Sequence, residues 1–144
     1  MTLAKYPGRT TVWSRATASN FTTVATIINV KDVSPGAGAT RAQFDQSAYG
    51  DDWMDFGVGQ QEGDEMTLTM AYDPADAVHI LLKSDYDTPV ANTWIQAHHA
   101  AAAKKWKITT VPVGWRVFPD RTGNLELQFT VKIVNPGVVE AAYP

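Results

Sequence analysis

The sequence predicts a mainly β fold, either two packed antiparallel sheets or an open β-barrel, with one or two inserted α-helices. Two stretches, MTLTMAY (66–72) and LELQFTVKI (125–133), alternate apolar with polar residues, as half-buried strands do. Between them, DPADA (73–77) carries residues typical of a helix start and precedes an apolar stripe. A length of 144 residues with 44% hydrophobic content suits one domain with a substantial core.

The first third of the chain gives weaker signals. Residues 1–20 mix proline, glycine, hydroxyl and basic residues with little periodicity and are predicted to be an N-terminal arm. The stretch FTTVATIINVKDV (21–33) is predicted to be a strand with both faces partly covered. A short strand is expected over 41–47, with Ala42 and Phe44 inward.

Helix signals follow the 66–72 strand. Asp73 is the predicted N-cap and Pro74 the first helical residue, and the apolar stripe runs to about Ser84. A second helix is predicted over 89–104, because AHHAAAAKK has high helix propensity and ends in lysines that suit a helix C-terminus.

The C-terminal third predicts more strand. Two strands are expected at 106–111 and 114–118, joined through Pro112. Residues 135–144 show no pattern that matches them with another predicted strand, and they are predicted to be a C-terminal arm. The domain organisation is therefore an arm over 1–20, a β domain over 21–134 and a second arm over 135–144.

An acidic segment, SAYGDDWMDFGVGQQEGDE (47–65), separates two predicted strands and is expected to be a long loop. Loops of this length are usually functional or disordered, and aromatic residues argue against plain disorder. The wider charge distribution is uneven, since nine of the fifteen acids lie between Arg41 and Lys83 and no basic residue does.

Composition disfavours several function classes. The net charge of −3 and the missing basic cluster disfavour a nucleic-acid-binding protein. The N-terminus has no apolar signal core and no window approaches a membrane span, so neither secretion nor a membrane is expected. With no cysteine, a disulfide framework and a zinc–thiolate site are excluded.

No catalytic, cofactor or metal site is predicted. His98 and His99 are adjacent and would diverge on a helix, and His79 is expected at the surface or half-buried. The aspartates at 51, 52 and 55 lack the order of an EF-hand loop. Paired acids of a small hydrolase remain possible among fifteen carboxylates, as does a carbohydrate-binding β-sandwich that uses some of the five tryptophans.

The order of features resembles the tail-tube (major tail) proteins of long-tailed phages. The resemblance is carried by RAQFDQSAYGDDWMDFGVGQQEGDEMTLTMAYDP and by KKWKITTVP followed by LELQFTVKIVNPG. It spans roughly residues 21–137. The Ala-rich stretch 91–103 is longer than the connection expected in that family.

The resemblance implies a non-enzymatic structural protein of the virion, made late and assembled in the host cytoplasm. Subunits of this family form hexameric rings that stack into a tube through which DNA is ejected. The implied partners are other copies of the chain and the tape-measure, tail-tip and tail-terminator proteins of a siphophage. Double-stranded DNA would pass without specific binding, and no cofactor is implied. The related tube protein of a contractile secretion system is an alternative.

The resemblance also suggests roles for particular residues. Polar strand faces suit a hydrated channel wall, and the residues expected to face the lumen are Thr67, Thr69, Glu126, Gln128 and Thr130. The long loop is expected to join one ring to the next through Tyr49, Asp51, Asp52, Trp53, Met54, Asp55 and Phe56. Its acids would meet cations of the neighbouring ring, for which the candidates are Arg9, Arg15, Lys104, Lys105 and Arg121.

Overall fold

The computed structural model describes residues 7–34, 36–45, 56–88, 92–119 and 123–144. These ranges contain a 3-10 turn at Gly8–Thr10, one α-helix and nine strands. The strands and the helix are, in chain order, β1 (Val12–Ala16), β2 (Val24–Thr26), β3 (Val30–Ser34), β4 (Ala39–Asp45), β5 (Phe56–Gly63), β6 (Glu65–Ala71), α1 (Ala77–Asp87), β7 (Thr93–His99), β8 (Lys104–Pro119) and β9 (Leu125–Ala142). The mainly β prediction is confirmed, with one helix and two antiparallel sheets.

Seven strands form one antiparallel sheet in the order β2-β1-β7-β8-β9-β6-β3, and β4 pairs with β5 in a separate two-stranded ribbon. The core draws on both halves of the large sheet. Ile95 of β7 and Ile108 of β8 belong to the same buried cluster as Leu68 of β6 and Phe129 of β9. Strands far apart in the order therefore share one core, so the sheet curves around it.

The alternation read from the sequence defines the core face of β6 and β9. Leu68 pairs with Phe129 and Met70 with Leu127, and all four side chains are fully buried. The intervening residues, such as Thr67, lie on the opposite face and are half-buried. Burial of alternate residues on a dry face is what makes period-2 strands visible in a sequence.

Helix α1 begins later than the sequence predicted. Its N-cap is Asp76, whose side chain accepts hydrogen bonds from the backbone N–H groups of Val78 and His79. Asp73 instead closes a preceding turn by accepting from the backbone N–H of Ala75. Within the helix, Leu82 faces the core and is fully buried, whereas Leu81 is 41% exposed.

The predicted second helix is wrong. Thr93–His99 form β7, which pairs with β1 on one side and β8 on the other. The alanines that suggested a helix lie in a turn at 100–103, where Ala103 has a φ of 54°. Pairing on both sides outweighs the helix propensity of the alanines.

Both predicted arms contribute strands to the large sheet. β1 lies in the predicted N-terminal arm, and its residues Ser14 and Ala16 are buried. β9 continues to Ala142, and its last part pairs with the start of β8, where Ala142 lies opposite Lys104. The described residues of both segments are thus part of the domain.

Two strand predictions needed adjustment. The strand predicted over 21–33 is divided into β2 and β3 by a turn, in which Asn29 has a φ of 62°. The two strands predicted around Pro112 are one strand, β8, whose pairing with β9 shifts register between Ile108 and Thr110 and again between Pro112 and Gly114.

Candidate assembly surfaces

The residues predicted to face a lumen lie together. Thr67 is paired with Thr130 and Thr69 with Gln128 across the β6–β9 ladder, and Glu126 lies opposite Ala71. The hydroxyl oxygens of Thr67 and Thr130 are 3.0 Å apart, within hydrogen-bond distance. All five are half-buried and lie opposite the apolar core face. We call this set of five residues the polar face.

Cations also lie on the polar side of the sheet, which the sequence reasoning had not included in its site. Lys132 follows the same alternation as Thr130, and Arg116 is paired with Gln128. Lys31 lies at a register irregularity of β3 and reaches Glu126 across β6. The period-2 pattern of β9 carried the signal for Lys132, whereas Lys31 and Arg116 required the strand order.

Both of these lysines have a carboxylate partner. The Nζ of Lys132 lies 2.9 Å from Oε1 of Glu62, at the end of β5. The Nζ of Lys31 lies 3.5 Å from Oε2 of Glu126. The two ion pairs link β9 to β5 and β3 to β9, and each cancels a positive charge on the polar side of the sheet.

The Glu62–Lys132 pair shifts the protonation of both groups. The hydrogen bond and the charge of Lys132 hold the pKa of the Glu62 carboxyl below its ordinary value. The hydrogen bond and the charge of Glu62 raise the pKa of Lys132, and the charges of Glu65 and Asp64 add to the rise. Lys132 therefore lies in an acidic neighbourhood.

The β4–β5 ribbon is largely uncovered by the rest of the described chain. Every β4 side chain from Ala39 to Phe44 is exposed, so the prediction that Ala42 and Phe44 point inward is wrong. Phe44 is 50% exposed and Val58 is 65% exposed. Gln43 is paired with Val58 and Phe44 with Gly57, so Phe44 and Val58 lie on opposite faces of the ribbon.

The base of the ribbon is fixed to the body. The backbone N–H of Asp64 donates to the carbonyl of Gly38, and the carbonyl of Asp64 accepts from the backbone N–H of Ile133, both at 3.0 Å. Gly63 lies so close to β9 that a Cβ atom there would overlap the backbone of Ile133. The ribbon is anchored at this end and uncovered beyond it.

The predicted inter-ring residues fall mostly outside the described ranges. This applies to Tyr49, Asp51, Asp52, Trp53, Met54 and Asp55. Phe56 is the first residue of β5, so the second half of the predicted loop, from Phe56 to Gly63, is a strand instead.

Some proposed cation partners already have partners within the chain. Arg15 makes two hydrogen bonds to the carboxylate of Asp85 on α1, at 2.7 and 2.8 Å, which joins α1 to β1. The Nζ of Lys104 lies 3.7 Å from Glu140. Arg121 lies outside the described residues. Arg15 is thus a stabilising residue of the fold, not a free cation for a neighbouring ring.

The histidines hold structural positions. His79 is fully buried, where the sequence had suggested a surface or half-buried residue. Its Nδ1 accepts from the backbone N–H of Asp73 at 3.1 Å, and its Nε2 lies 3.2 Å from the carbonyl oxygen of Ile28. The ring therefore carries its proton on Nε2 and joins the segment before α1 to the turn between β2 and β3.

His99 is held in a similar way near the N-terminal segment. Its Nδ1 accepts from the backbone N–H of Ala102, and its Nε2 lies 3.0 Å from the carbonyl of Pro7. Adjacent His98 points to the other face of β7 and stacks on Tyr143, with ring centroids 4.3 Å apart. Strand geometry thus separates the two histidines more completely than the helix geometry that the sequence suggested.

Tryptophans Trp13 and Trp115 pack against the core. The Trp115 ring has edge contacts with Tyr72 and Phe129 and lies near Tyr86, with centroids 5.8 to 6.4 Å away. These rings serve as anchors of the fold, which is the more common use of strand tryptophans.

Two kinds of feature are absent from the described ranges. No helix there is long and apolar enough to cross a membrane. Within the same ranges, no cluster of three or more histidines and carboxylates is arranged to hold a metal ion.

Strands β2 and β3 form the two ends of the seven-stranded order, and each is paired on one side among the described residues. Backbone groups on an unpaired edge are a template for strand addition by another chain. The described chain therefore offers three surfaces of interest: the polar face, the β4–β5 ribbon and the two sheet edges.

No protein-family model matches the sequence, and no curated protein sequence matches it. Solved structures do match in fold. A chain from the virion of a native gene transfer agent particle superposes with a TM-score of 0.73 at 8% identity, covering 96% of this chain and 100% of that one. The SPP1 tail tube gives a TM-score of 0.69 at 8% identity, covering 96% of this chain and 80% of that one. The chain has the tail-tube fold.

The tail-tube fold also appears in an injection machine. A chain of the PVC sheath–tube complex, from an extracellular contractile injection system, gives a TM-score of 0.68 at 15% identity, covering 96% of this chain and 92% of that one. The same fold therefore occurs in the SPP1 tail tube and in a sheath–tube complex.

Proposed function

We propose that this chain is the structural subunit of a tail tube, in which rings of subunits stack around a lumen that conducts DNA. The observation that carries the proposal is a curved sheet in the tail-tube fold, with one dry face, one polar face and two edges that the described residues leave unpaired. The fold match to the SPP1 tail tube, which extends over 96% of this chain, supports it.

Ring closure is assigned to the sheet edges. A subunit that presents β2 at one end of its sheet and β3 at the other can add strand to strand with two different neighbours. Such head-to-tail contacts close into a ring when the rotation between subunits is a simple fraction of a turn. Six subunits per ring is the number that the family resemblance implies.

Ring stacking is assigned to the β4–β5 ribbon. An isolated two-stranded ribbon is at best marginally stable in water, and this one exposes an apolar side chain on each face, Phe44 and Val58. A neighbouring ring that covers the ribbon would bury both. The residues Tyr49 to Asp55, which connect its two strands in the sequence, would extend the same contact.

The lumen is assigned to the polar face. Its threonine, glutamine and glutamate side chains are half-buried within one subunit and suit a hydrated surface. DNA slides past such a surface without the counterion release that drives tight binding. The other implied partners are the tape-measure, tail-tip and tail-terminator proteins, and the implied location is the tail of a siphophage virion assembled in the host cytoplasm.

Negative-stain microscopy and light scattering of the purified protein over a concentration series test the proposal. We expect a folded monomer or small oligomer at low concentration, and rings or tubes as concentration rises or when tail-initiation components are added. A strictly monomeric species at millimolar concentration with those components present would contradict the proposal.

A second candidate is the tube of a contractile injection system, which the match to the PVC sheath–tube complex favours. Tubes of both kinds are expected in the microscope. They differ in whether double-stranded DNA passes through the lumen, so recovery of nuclease-protected DNA from native particles would separate them.

A further inference from the structure

The polar side of the sheet carries more positive charge than a surface for DNA passage needs. Lys31, Lys132 and Arg116 all lie there. In a ring, each subunit would repeat these cations around the lumen. Every lysine that contacts a phosphate adds about 0.9 to the magnitude of the slope of log K against log salt concentration for DNA binding. Lysines without a carboxylate partner would therefore slow the passage of DNA.

We propose that Glu62 and Glu126 act as charge masks, which hold Lys132 and Lys31 away from DNA phosphates on the lumen-facing side of the subunit. The inference rests on the proposed function. It gives two carboxylates a role toward duplex DNA, which is to prevent the two lysines from binding its phosphates.

Geometry supports the masking role of Glu62. Its carboxylate contacts the Lys132 ammonium at 2.9 Å, although the Glu62 side chain is 77% exposed and lies on another strand. An exposed ion pair contributes little to stability, so this contact is not explained by a need to hold the fold. The raised pKa of Lys132, to which Glu65 and Asp64 also contribute, shows that the ammonium group lies in a negative field.

The second pair completes the arrangement on the other side of β6. Glu126 is the more enclosed partner, with 16% of its side chain exposed against 43% for Lys31. Asp32, the neighbour of Lys31, is exposed and lies opposite Thr69. Lys31 and Lys132 therefore each meet a carboxylate from a different strand, which a phosphate would have to displace.

The chain offers a matched control for an experiment. Lys83 pairs with Asp87 on α1 at 3.0 Å, and Lys104 pairs with Glu140 at 3.7 Å at the far end of β8. The double variant E62Q/E126Q and the control D87N/E140Q each remove two carboxylates that face lysines. The two variants change the net charge equally, and they differ in whether the carboxylates removed face Lys31 and Lys132 or lysines elsewhere on the subunit.

Tubes of the wild type and both variants are assembled and checked by microscopy, and a fluorescent DNA duplex narrower than the lumen is then added at several salt concentrations. We expect E62Q/E126Q tubes to retain the duplex more strongly. The slope of log K against log salt concentration should increase in magnitude by up to about 1.8 for each subunit whose two lysines contact the duplex. The control tubes should behave as the wild type. Adding K31Q and K132Q to E62Q/E126Q should restore wild-type behaviour.

The outcomes separate the inference from the function on which it rests. If E62Q/E126Q tubes retain DNA no better than D87N/E140Q tubes, the masking role is wrong while the tube remains. If the wild-type protein forms no rings or tubes, the proposed function itself fails. A DNA gain that persists after K31Q and K132Q are added would also overturn the masking role, because the lysines would then not be the cause.

Discussion

At the scale of single residues, His79 shows how one buried side chain holds three segments together. It is fully buried and contacts the backbone of Asp73 and Ile28 through its two ring nitrogens. Replacing it with leucine fills similar space but leaves two partly buried backbone groups, the N–H of Asp73 and the carbonyl of Ile28, without this partner. We expect His79→Leu to lower the free energy of unfolding by about 2–4 kcal/mol, measured by denaturant titration.

His98→Phe is the control for this prediction. His98 is half-buried and stacks on Tyr143, and phenylalanine preserves that stacking. A change of no more than about 1 kcal/mol is expected for it. Equal losses for the two variants would show that the hydrogen bonds of His79 do not matter.

Glycine is required at position 63 because the backbone of β9 lies very close to it, and not because of its backbone angles. A Cβ atom at this position would overlap the backbone of Ile133, which a flexible side chain cannot relieve. Gly63→Ala should therefore lower the free energy of unfolding by about 1–3 kcal/mol. Gly59→Ala, where the Cβ would meet Ala42 at an ordinary 3.5 Å, should be neutral or slightly stabilising. A thermal melt in which both variants behave alike would contradict the assignment.

The Glu62–Lys132 pair gives a prediction about pH. Because the folded pKa of Glu62 is lowered, its contribution is present above the ordinary glutamate pKa and is lost as pH falls through the lowered value. The pKa of Lys132 is raised, so its share is present below the ordinary lysine value and lost as pH rises through the raised one. An NMR titration should give Glu62 a midpoint below that of an ordinary glutamate, and Lys132→Met should return it. A midpoint unchanged by Lys132→Met would show that the pair does not form in solution.

Sequence reasoning at this scale succeeded where a residue's role follows from periodicity. The alternation of polar and core side chains along β6 and β9 was read correctly, because each strand has one dry and one wet face. The role of His79 could not be read, because its partners Asp73 and Ile28 are backbone groups that only the fold brings near. Lys31 was missed for the same reason: Glu126 lies 95 positions away in the chain.

At the scale of elements, α1 depends on its first turn. Asp76 accepts hydrogen bonds from two otherwise unpartnered backbone N–H groups at 3.1 Å. Asp76→Ala should lower the free energy of unfolding by about 0.5–2 kcal/mol. The matched change Asp87→Ala, at the exposed C-terminal end of α1, removes only a surface pair with Lys83 and should cost less than about 0.5 kcal/mol. If Asp87→Ala costs as much as Asp76→Ala in chemical denaturation, the cap is not what stabilises this helix.

The error at β7 has a physical cause that a single sequence does not reveal. The strand has buried residues on both faces, for example Ile95 and Gln96, so it lacks the alternation that identified β6. The four alanines that follow it raise helix propensity but occupy a turn. β7 lies in the middle of the sheet, between β1 and β8. The conformation of such a strand depends more on pairing with its neighbours than on the intrinsic propensity of its residues.

At the scale of the whole molecule, the described residues of the two segments that were predicted to be arms contribute strands to the domain. β1 and the last part of β9 extend the sheet so that its polar side is broad and its edges lie at β2 and β3. Periodicity was weak in these short pieces, so nothing local marked them as strands. The assembly surfaces that remain uncovered are the ribbon and the edges, and the ribbon is the easier of the two to test.

The ribbon supplies the last prediction. Phe44 and Val58 are exposed on opposite faces of the β4–β5 ribbon, and nothing in the described chain covers either side chain well. If a neighbouring ring covers them, each is an interface anchor whose loss costs about 2 kcal/mol per contact. Phe44→Ser and Val58→Ser should then each raise the protein concentration needed for tubes by roughly thirtyfold, measured by sedimentation of tubes from monomer.

Ile80→Ser, which removes a similarly apolar residue that is 53% exposed on α1, is the control and should leave that concentration unchanged. All three variants should unfold within about 0.5 kcal/mol of the wild type, because each side chain is exposed in the monomer. Tubes that form from the Phe44 and Val58 variants at the wild-type concentration would remove the ribbon from the stacking contact and leave the sheet edges to join the rings.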